Sequence, residues 1–231
     1  MSVPCSARAN SYSFERELAL AEAGTPCERV AHSGLGPWGR QTWEHSERMA
    51  TWWLEALAAC PESPEWRRAL LNAGGHLVLA NRPRAALELY RRAIERDEDE
   101  HAQSRGHLDH VRFSAEVQFC VAHAHYAAFE FDEALATYRV LASGRLFSRV
   151  RNEEVTRWRE DAAVNLALLH WQLRQVNAAR RAIRHVARVH SNADERARAA
   201  QTAELWTKLS RASEPTGPAL AAFPFPPELV L

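Results

Sequence analysis

The feature that most constrains this chain is a long stretch, residues 84–214, that contains no proline. All eleven prolines lie before or after it, and within it only Gly106 and Gly144 interrupt the chain as glycines. Because proline and glycine are the strongest helix breakers, the stretch is predicted to be almost entirely helical. No segment alternates apolar and polar residues with β-branched side chains, so no strands are expected. The sequence therefore predicts an all-α fold.

Apolar residues spaced three and four apart predict about nine helices. Their expected bounds are about 13–23, 38–60, 64–80, 84–96, 103–129, 131–143, 152–173, 176–190 and 193–211. The acidic run Asp97–Glu100 is predicted to be a loop, because four acids are unfavourable at a helix C-terminus.

The proline distribution also predicts the domain organisation. The expected parts are an N-terminal arm with one short helix (1–36), a helical domain (37–212) and a proline-rich C-terminal tail (213–231). The tail is too apolar for a plain solvated end, so it is expected to fold back over the last helices or to dock into a partner.

Composition excludes several classes of protein. The 231 residues carry 29 basic and 29 acidic side chains, so no overall charge draws the chain to nucleic acid or to a membrane surface. No apolar run is long enough to span a bilayer, and no membrane insertion is expected.

The cysteines are scattered without a short-spaced framework, which predicts free thiols in a reducing compartment, the cytoplasm. A Ser-rich N-terminus with an early arginine leaves an organelle matrix as the alternative.

Three segments, 70–97, 118–143 and 164–189, are similar to one another. Each has a helix with a small residue at its middle, a turn-like break about seven residues later, and a second helix with small and large apolar residues. Small residues let paired antiparallel helices approach closely, and large ones fill the gaps. The mid-helix residues are Gly74, Ala122 and Ala167, and the second-helix residues are Ala86, Tyr90, Ala93; Ala134, Tyr138, Leu141; Ala179, Ile183, Val186.

This pattern resembles the tetratricopeptide repeat (TPR) family over roughly residues 45–190. The best unit is 67–98, where Gly74, Leu77, Asn81, Ala86, Tyr90 and Ala93 fall where the family prefers such residues. The spacing departs from the family: it is 48 residues from Gly74 to Ala122 and 45 from there to Ala167, against about 34. HEAT-like repeats of about 40–47 residues are the alternative. The resemblance implies a TPR-like α-solenoid of antiparallel helix pairs.

The same resemblance implies a non-enzymatic adaptor or assembly subunit that binds a peptide or helix of another protein in a concave groove. The groove would be lined by the first helix of each pair. The candidate groove residues are Asn72, Glu116, Phe119, His123, Tyr126, Asp161, Asn165 and Trp171.

The chemistry of these residues points to one kind of partner. Asn72 and Asn165 match the asparagine with which chaperone-binding relatives hold a peptide carboxylate, but Glu116 and Asp161 stand where positive charge would be needed. An apolar, aromatic and mildly acidic groove instead suits a basic or amphipathic helix. The alternative is that the aromatic members simply pack against neighbouring helices.

A basic stripe suggests a second function. Arg180, Arg184 and Arg188 share one helix face, opposite the expected core face, and no acid occurs between Asp161 and Asp194. Such a stripe suits RNA phosphates or an acidic protein patch. Because Lys208 is the chain's only lysine, the arginines also fit an ordinary solvated face in an arginine-rich sequence.

Motifs for chemistry are weak. Gly34–Gly39 spells GxGxxG, but helices are expected on both sides and not the strand that a dinucleotide site needs. The pair His45 and Glu47 lacks the cysteines of a zinc deaminase. One helix cannot bring more than two ligands together from the cluster His101, His107, His110, Cys120, His123 and His125. We therefore expect no enzyme, metal or cofactor. A small-molecule or peptide sensor with its ligand beside Trp171 remains a third alternative.

Overall fold

The computed structural model describes residues 43–103, 107–144 and 152–211. These residues form eight α-helices and no strands, which confirms the all-α prediction for this part of the chain. The helices are α1 (Trp43–Ala59), α2 (Trp66–Leu79), α3 (Pro83–Gln103), α4 (His107–Ala127), α5 (Phe131–Ser143), α6 (Glu153–Gln172), α7 (Val176–Val189) and α8 (Ala193–Arg211). The helix expected near 13–23, the N-terminal arm and the C-terminal tail lie outside the described residues.

The described residues divide into two compact units, one ending at Ala134 and the other beginning at Leu135, inside α5. In the first unit α1 packs on α2, α2 on α3, and α3 on α4. Its core is built around Trp66, Leu71, Tyr90, Phe113 and Val117, with Trp52 and Trp53 in an adjoining cluster. In the second unit α7 packs between α6 and α8. Its core is built around Leu168, Trp171, Ile183, Val186 and Trp206.

Three helix-to-helix turns have the same backbone geometry. Asn81, Phe129 and Arg174 have φ angles of 58°, 61° and 58°, the left-handed conformation that ends many helices. In each turn the N–H of the following residue donates to the carbonyl five residues earlier. These bonds join Arg82 to Leu77, Glu130 to His125, and Gln175 to His170, at 2.8–2.9 Å. The three turns lie at the 48- and 45-residue spacing of the sequence repeat, so the repeat has a structural counterpart.

The first helix pair approaches closely at Gly74. A Cβ atom built there would lie 2.3 Å from Cε1 of Tyr90, which is fully buried. Real Cβ atoms do not approach a ring so closely, so only glycine fits opposite this tyrosine. The turn and the glycine together fix how α2 packs against α3.

The prediction that Asp97–Glu100 forms a loop is wrong, since α3 continues to Gln103. The acids are compensated from outside the helix. Arg67, on α2, donates from Nε to Asp97 at 2.6 Å and from Nη2 to Glu100 at 2.8 Å. His110 donates to the other oxygen of Asp97 at 2.5 Å. These partners remove the electrostatic penalty that the local sequence alone implies.

This charged network also holds an aromatic ring. Trp66 donates from its indole nitrogen to Glu100 at 3.3 Å. The guanidinium groups of Arg67 and Arg96 lie 4.8 and 4.3 Å from the centre of its ring, within range of a cation–π interaction. Burial raises the pKa of Glu100, but the Arg96 hydrogen bond and the Arg67 charge outweigh this and leave it lowered.

The expectation of free thiols is wrong for Cys60 and Cys120, each of which is disulfide-bonded. The other two cysteines, Cys5 and Cys27, lie outside the described residues. In the described ranges, no helix is at once long and apolar enough to cross a bilayer.

Replacing Arg67 with Ala should lower the free energy of unfolding by about 3 kcal/mol, because it removes the partner of a buried carboxylate. The Asp97 side chain is only 3% exposed. Urea denaturation with an unchanged m-value measures the loss. Arg91→Ala is the matched control, since Arg91 pairs with Glu88 and Glu95 on the surface, and it should cost less than about 1 kcal/mol. Equal losses in the two variants would contradict a structural role for the network.

Without reductant, neither Cys60 nor Cys120 should react with an alkylating reagent in the denatured protein. After reduction both should react, and the melting temperature should fall, since loss of a native disulfide costs about 2–5 kcal/mol. Peptide mass spectrometry identifies the alkylated positions. Labelling of either residue before reduction would contradict the disulfides.

Candidate functional site

A row of aromatic rings follows the end of α4 into the next turn. The rings of His123 and Tyr126 have centres 6.4 Å apart, Tyr126 and Phe131 are 5.8 Å apart, and Phe131 and Phe129 are 6.0 Å apart. We call these four residues the aromatic row. Burial lowers the pKa of His123 to about 4, so this ring is neutral at neutral pH. The row is therefore a continuous, uncharged strip.

Phe129 ends the row and is the most exposed large apolar side chain among the described residues, at 79%. It also has a φ of 61°, which is costly for a bulky residue, whereas the equivalent turn in the first repeat carries Asn81, a residue that tolerates this conformation. Neither burial nor backbone preference accounts for a phenylalanine here. Both observations make Phe129 the candidate contact residue of this surface.

The structure brings only part of the predicted groove to the surface. His123, Tyr126 and Glu116 are half-buried on α4. Phe119 and Asn72 are buried at 2% and 0%. We therefore leave these last two out of the site, and their predicted binding roles stay untested.

In the second unit, Trp171 belongs to the core. Its ring stacks on Trp206 with centres 4.4 Å apart and planes 2° from parallel. The alternative of simple packing describes Trp171, which is 5% exposed. Asn165 is half-buried and donates from its amide nitrogen to the Tyr138 hydroxyl at 3.3 Å.

Asp161 is a residue of α6. Its side chain lies among polar groups, some of which follow the end of α7. Its carboxylate is 3.9 Å from Arg157, and its side chain is 17% exposed. Burial raises the pKa of Asp161 to about 6. The negative charges of Glu160 and Glu195 also raise this pKa, whereas the positive charges of Arg157 and His190 lower it. Glu160 is meanwhile held by Ser191, which donates from its backbone nitrogen and its hydroxyl at 2.7 and 2.6 Å. Asp161 is thus an incompletely compensated acid that a cationic group would stabilise.

The basic stripe lies beside the α7–α8 interface and not opposite the core, which corrects the sequence prediction. Arg180 donates to the Ser210 hydroxyl and Arg184 to the Thr207 hydroxyl, both on α8 and both at 3.3 Å. Arg188 donates from Nε to the carbonyl of Arg184 at 3.2 Å. The helical wheel gives the direction of the stripe on α7 but not the side on which α8 packs.

The histidines do not form a metal site in the described part of the chain, where no three potential ligands cluster. His101 and His110 stack with ring centres 4.0 Å apart, and His110 is engaged by Asp97. His76 and His45 are buried with ring centres 6.3 Å apart, and burial lowers the pKa of His76 to about 3. His76 and His45 thus pack in the interior, and His110 is the partner of an acid.

Sequence reasoning missed Phe129, although the signal was present. Aligning the three repeats at Gly74, Ala122 and Ala167 places Phe129 at the position of Asn81 and Arg174. Asparagine tolerates positive φ there, whereas phenylalanine and arginine do not favour it, and of Phe129 and Arg174 only Phe129 puts a large exposed apolar side chain at the turn.

Comparison with protein-family models, with curated proteins and with solved structures found no significant match for this chain.

Replacing Asp161 with Asn should stabilise the protein by about 3 kcal/mol at pH 8 and by almost nothing at pH 3.5. The native pKa of about 6 lies above the usual 3.8, so the native state binds the proton more tightly. The charged aspartate therefore costs stability increasingly as the pH rises from about 4 to about 6, and the cost persists above that. Chemical denaturation across this range measures the difference. Glu204→Gln, at an exposed acid on α8, is the control; a gain at Asp161 that is independent of pH would contradict the assignment.

Proposed function

We propose that this chain is a non-enzymatic helical-repeat adaptor that binds a helix or peptide of another protein through the aromatic row. The observation that carries the proposal is Phe129, a 79% exposed aromatic side chain held in a left-handed turn. Exposed aromatic residues are frequent anchors of protein interfaces. The other three rings extend this anchor into a strip, which is what the apolar face of an amphipathic helix requires.

The repeated turns support a TPR-like architecture for this adaptor. Three turns with the same left-handed residue and the same hydrogen bonds recur at the spacing of the sequence repeat. The three turns are equally short. The repeats are nevertheless longer than the roughly 34 residues typical of TPR proteins, so the additional residues lie in the helices and in the connections between the repeats. Helices α3, α4 and α6 have 21, 21 and 20 residues, which accounts for part of it.

The charge of the site indicates which kind of residue lies beside the apolar face of the partner helix. The aromatic row itself is neutral, and α4 also carries two acids, Asp109 in its first turn and the half-buried Glu116. A partner with an apolar face and basic residues beside it matches this combination.

The disulfides bear on where the adaptor works. Disulfides persist in oxidising compartments and are rare in the cytosol. The bonded state of Cys60 and Cys120 therefore favours oxidising surroundings over the predicted cytoplasm or organelle matrix.

Phe129→Asn tests the adaptor without weakening the fold. Asparagine tolerates φ near 60°, so the variant should melt at the same temperature as the parent chain or higher, while the exposed ring is removed. Protein purified from its source should bring a stoichiometric partner, identified by mass spectrometry, and the variant should bind that partner more than tenfold more weakly.

Leu108→Asn is the matched control for this experiment. Leu108 is 47% exposed and lies at the other end of α4, so its replacement removes an apolar side chain without touching the aromatic row. This variant should keep its affinity within about threefold. Absence of a stoichiometric partner, or equal affinity of Phe129→Asn and the parent chain, would show the adaptor proposal to be wrong.

A further inference from the structure

The basic stripe on α7 carries an inference that is independent of the aromatic row. We propose that Arg180, Arg184 and Arg188 form a binding site for the phosphate backbone of single-stranded RNA. The three residues are four positions apart, so they rise along the helix by about 6 Å a step and about 12 Å in all. They form a row on one side of α7 that turns about the helix axis by about 40° at each step, and its first two members contact α8.

The arginine head groups are held in place by neutral acceptors. Arg180 donates to the Ser210 hydroxyl, which itself donates to the Thr207 carbonyl at 3.0 Å. Arg184 donates to the Thr207 hydroxyl, which itself donates to the Ala203 carbonyl at 2.7 Å. Because each guanidinium has five N–H donors, these bonds leave most donors unused. The contacts fix the head groups without neutralising their charge.

The lack of neutralisation sets this row apart from the other helical arginines. On α3, Arg91 and Arg92 pair with Glu88, and Arg96 pairs with Glu100. Among the described residues, no arginine of the α7 row comes within ion-pair distance of a carboxylate. Glu204, the acid in the middle of α8, pairs with none of them. Within the described residues, these three positioned positive charges have no carboxylate partner, so they are open to an anionic ligand.

The sequence around the row adds further positive charge to this part of the chain. Residues 162–211 contain nine arginines and lysines against three acids, although the whole chain has no net charge. A basic patch confined to one part of a neutral protein is the electrostatic footprint of a nucleic-acid site. Arginine also matches phosphate better than lysine does, because its planar fork donates two parallel hydrogen bonds.

The shape of the row favours a polymer over a single phosphate group. A single phosphate is held by arginines that converge on one point, whereas these head groups follow one another along a helix. Regularly spaced charges on a flexible strand match such a row. The aromatic residue of α8, Trp206, is fully buried, so no ring on this helix is available to stack on a base. We therefore expect binding without base preference.

The experiment measures fluorescence anisotropy of a labelled oligouridylate with the full chain at several salt concentrations. Three phosphate contacts predict a slope of log K against log salt of about −2 for a single strand. Replacing all three arginines with Ala should weaken binding more than tenfold at about 50 mM salt and flatten this slope. The triple Arg→Lys variant keeps the charge and should retain affinity within about threefold.

A matched triple variant controls for net charge. Arg91, Arg92 and Arg198 are exposed arginines that pair with glutamates, and replacing them with Ala changes the net charge by the same amount. This variant should bind like the parent chain. Circular dichroism checks folding, and a triple Arg→Gln variant of the row serves if the Ala variant does not fold.

Three results would overturn the proposal. The first is no binding of oligouridylate at low salt, and the second is an equal loss of binding in the control triple. The third is displacement of the RNA by polyglutamate as effectively as by unlabelled polyuridylate, which would identify an acidic protein surface as the ligand. Because the row lies on other helices than Phe129, none of these results bears on the adaptor proposal.

Discussion

One residue in a left-handed conformation reverses the chain at each of three helix-to-helix turns, and the packing on either side depends on it. The hydrogen bonds around Asn81, Phe129 and Arg174 end one helix and fix the direction of the next. In the first repeat this direction brings the Tyr90 ring so close to Gly74 that no Cβ fits between them. The turn at Asn81 and the glycine at position 74 thus act together. The turn sets how closely the two helices approach, and Gly74 leaves room for this approach.

The same constraint explains why Phe129 stands out. A turn that requires positive φ favours asparagine or glycine, and the first repeat has Asn81 there. Phenylalanine in the second repeat gains nothing from burial, since its ring is exposed, and gains nothing from its backbone conformation. Phe129 is thus unfavourable in both respects, and this is the observation that the proposed partner contact would account for. The neighbouring rings of Tyr126 and Phe131 fit this explanation, since they continue the surface that Phe129 begins.

Local pattern was enough to predict most of the fold, because proline placement and apolar spacing act within a few turns of helix. It failed where distant residues decide. The acids Asp97 and Glu100 lie within a helix, where Arg67, 30 and 33 residues earlier in the chain, pairs with both of them. Trp171 was assigned to a groove, but Trp206 from α8 covers its ring. Tyr126 and His123 reach the surface, whereas Phe119 on the same helix is buried. A helical wheel gives the direction of a side chain and not what packs against it.

The arginines show most directly why composition says little about this chain. Its charges sum to zero, yet they are distributed in two different ways. On α3 each arginine has a glutamate three or four residues away, so the helix neutralises itself. On α7, Arg180 and Arg184 donate to hydroxyls of α8 and Arg188 donates to a main-chain carbonyl, and among the described residues none of the three pairs with a carboxylate. An arginine-rich genome would account for the number of these residues. It would not account for this arrangement, on which the proposed phosphate site rests.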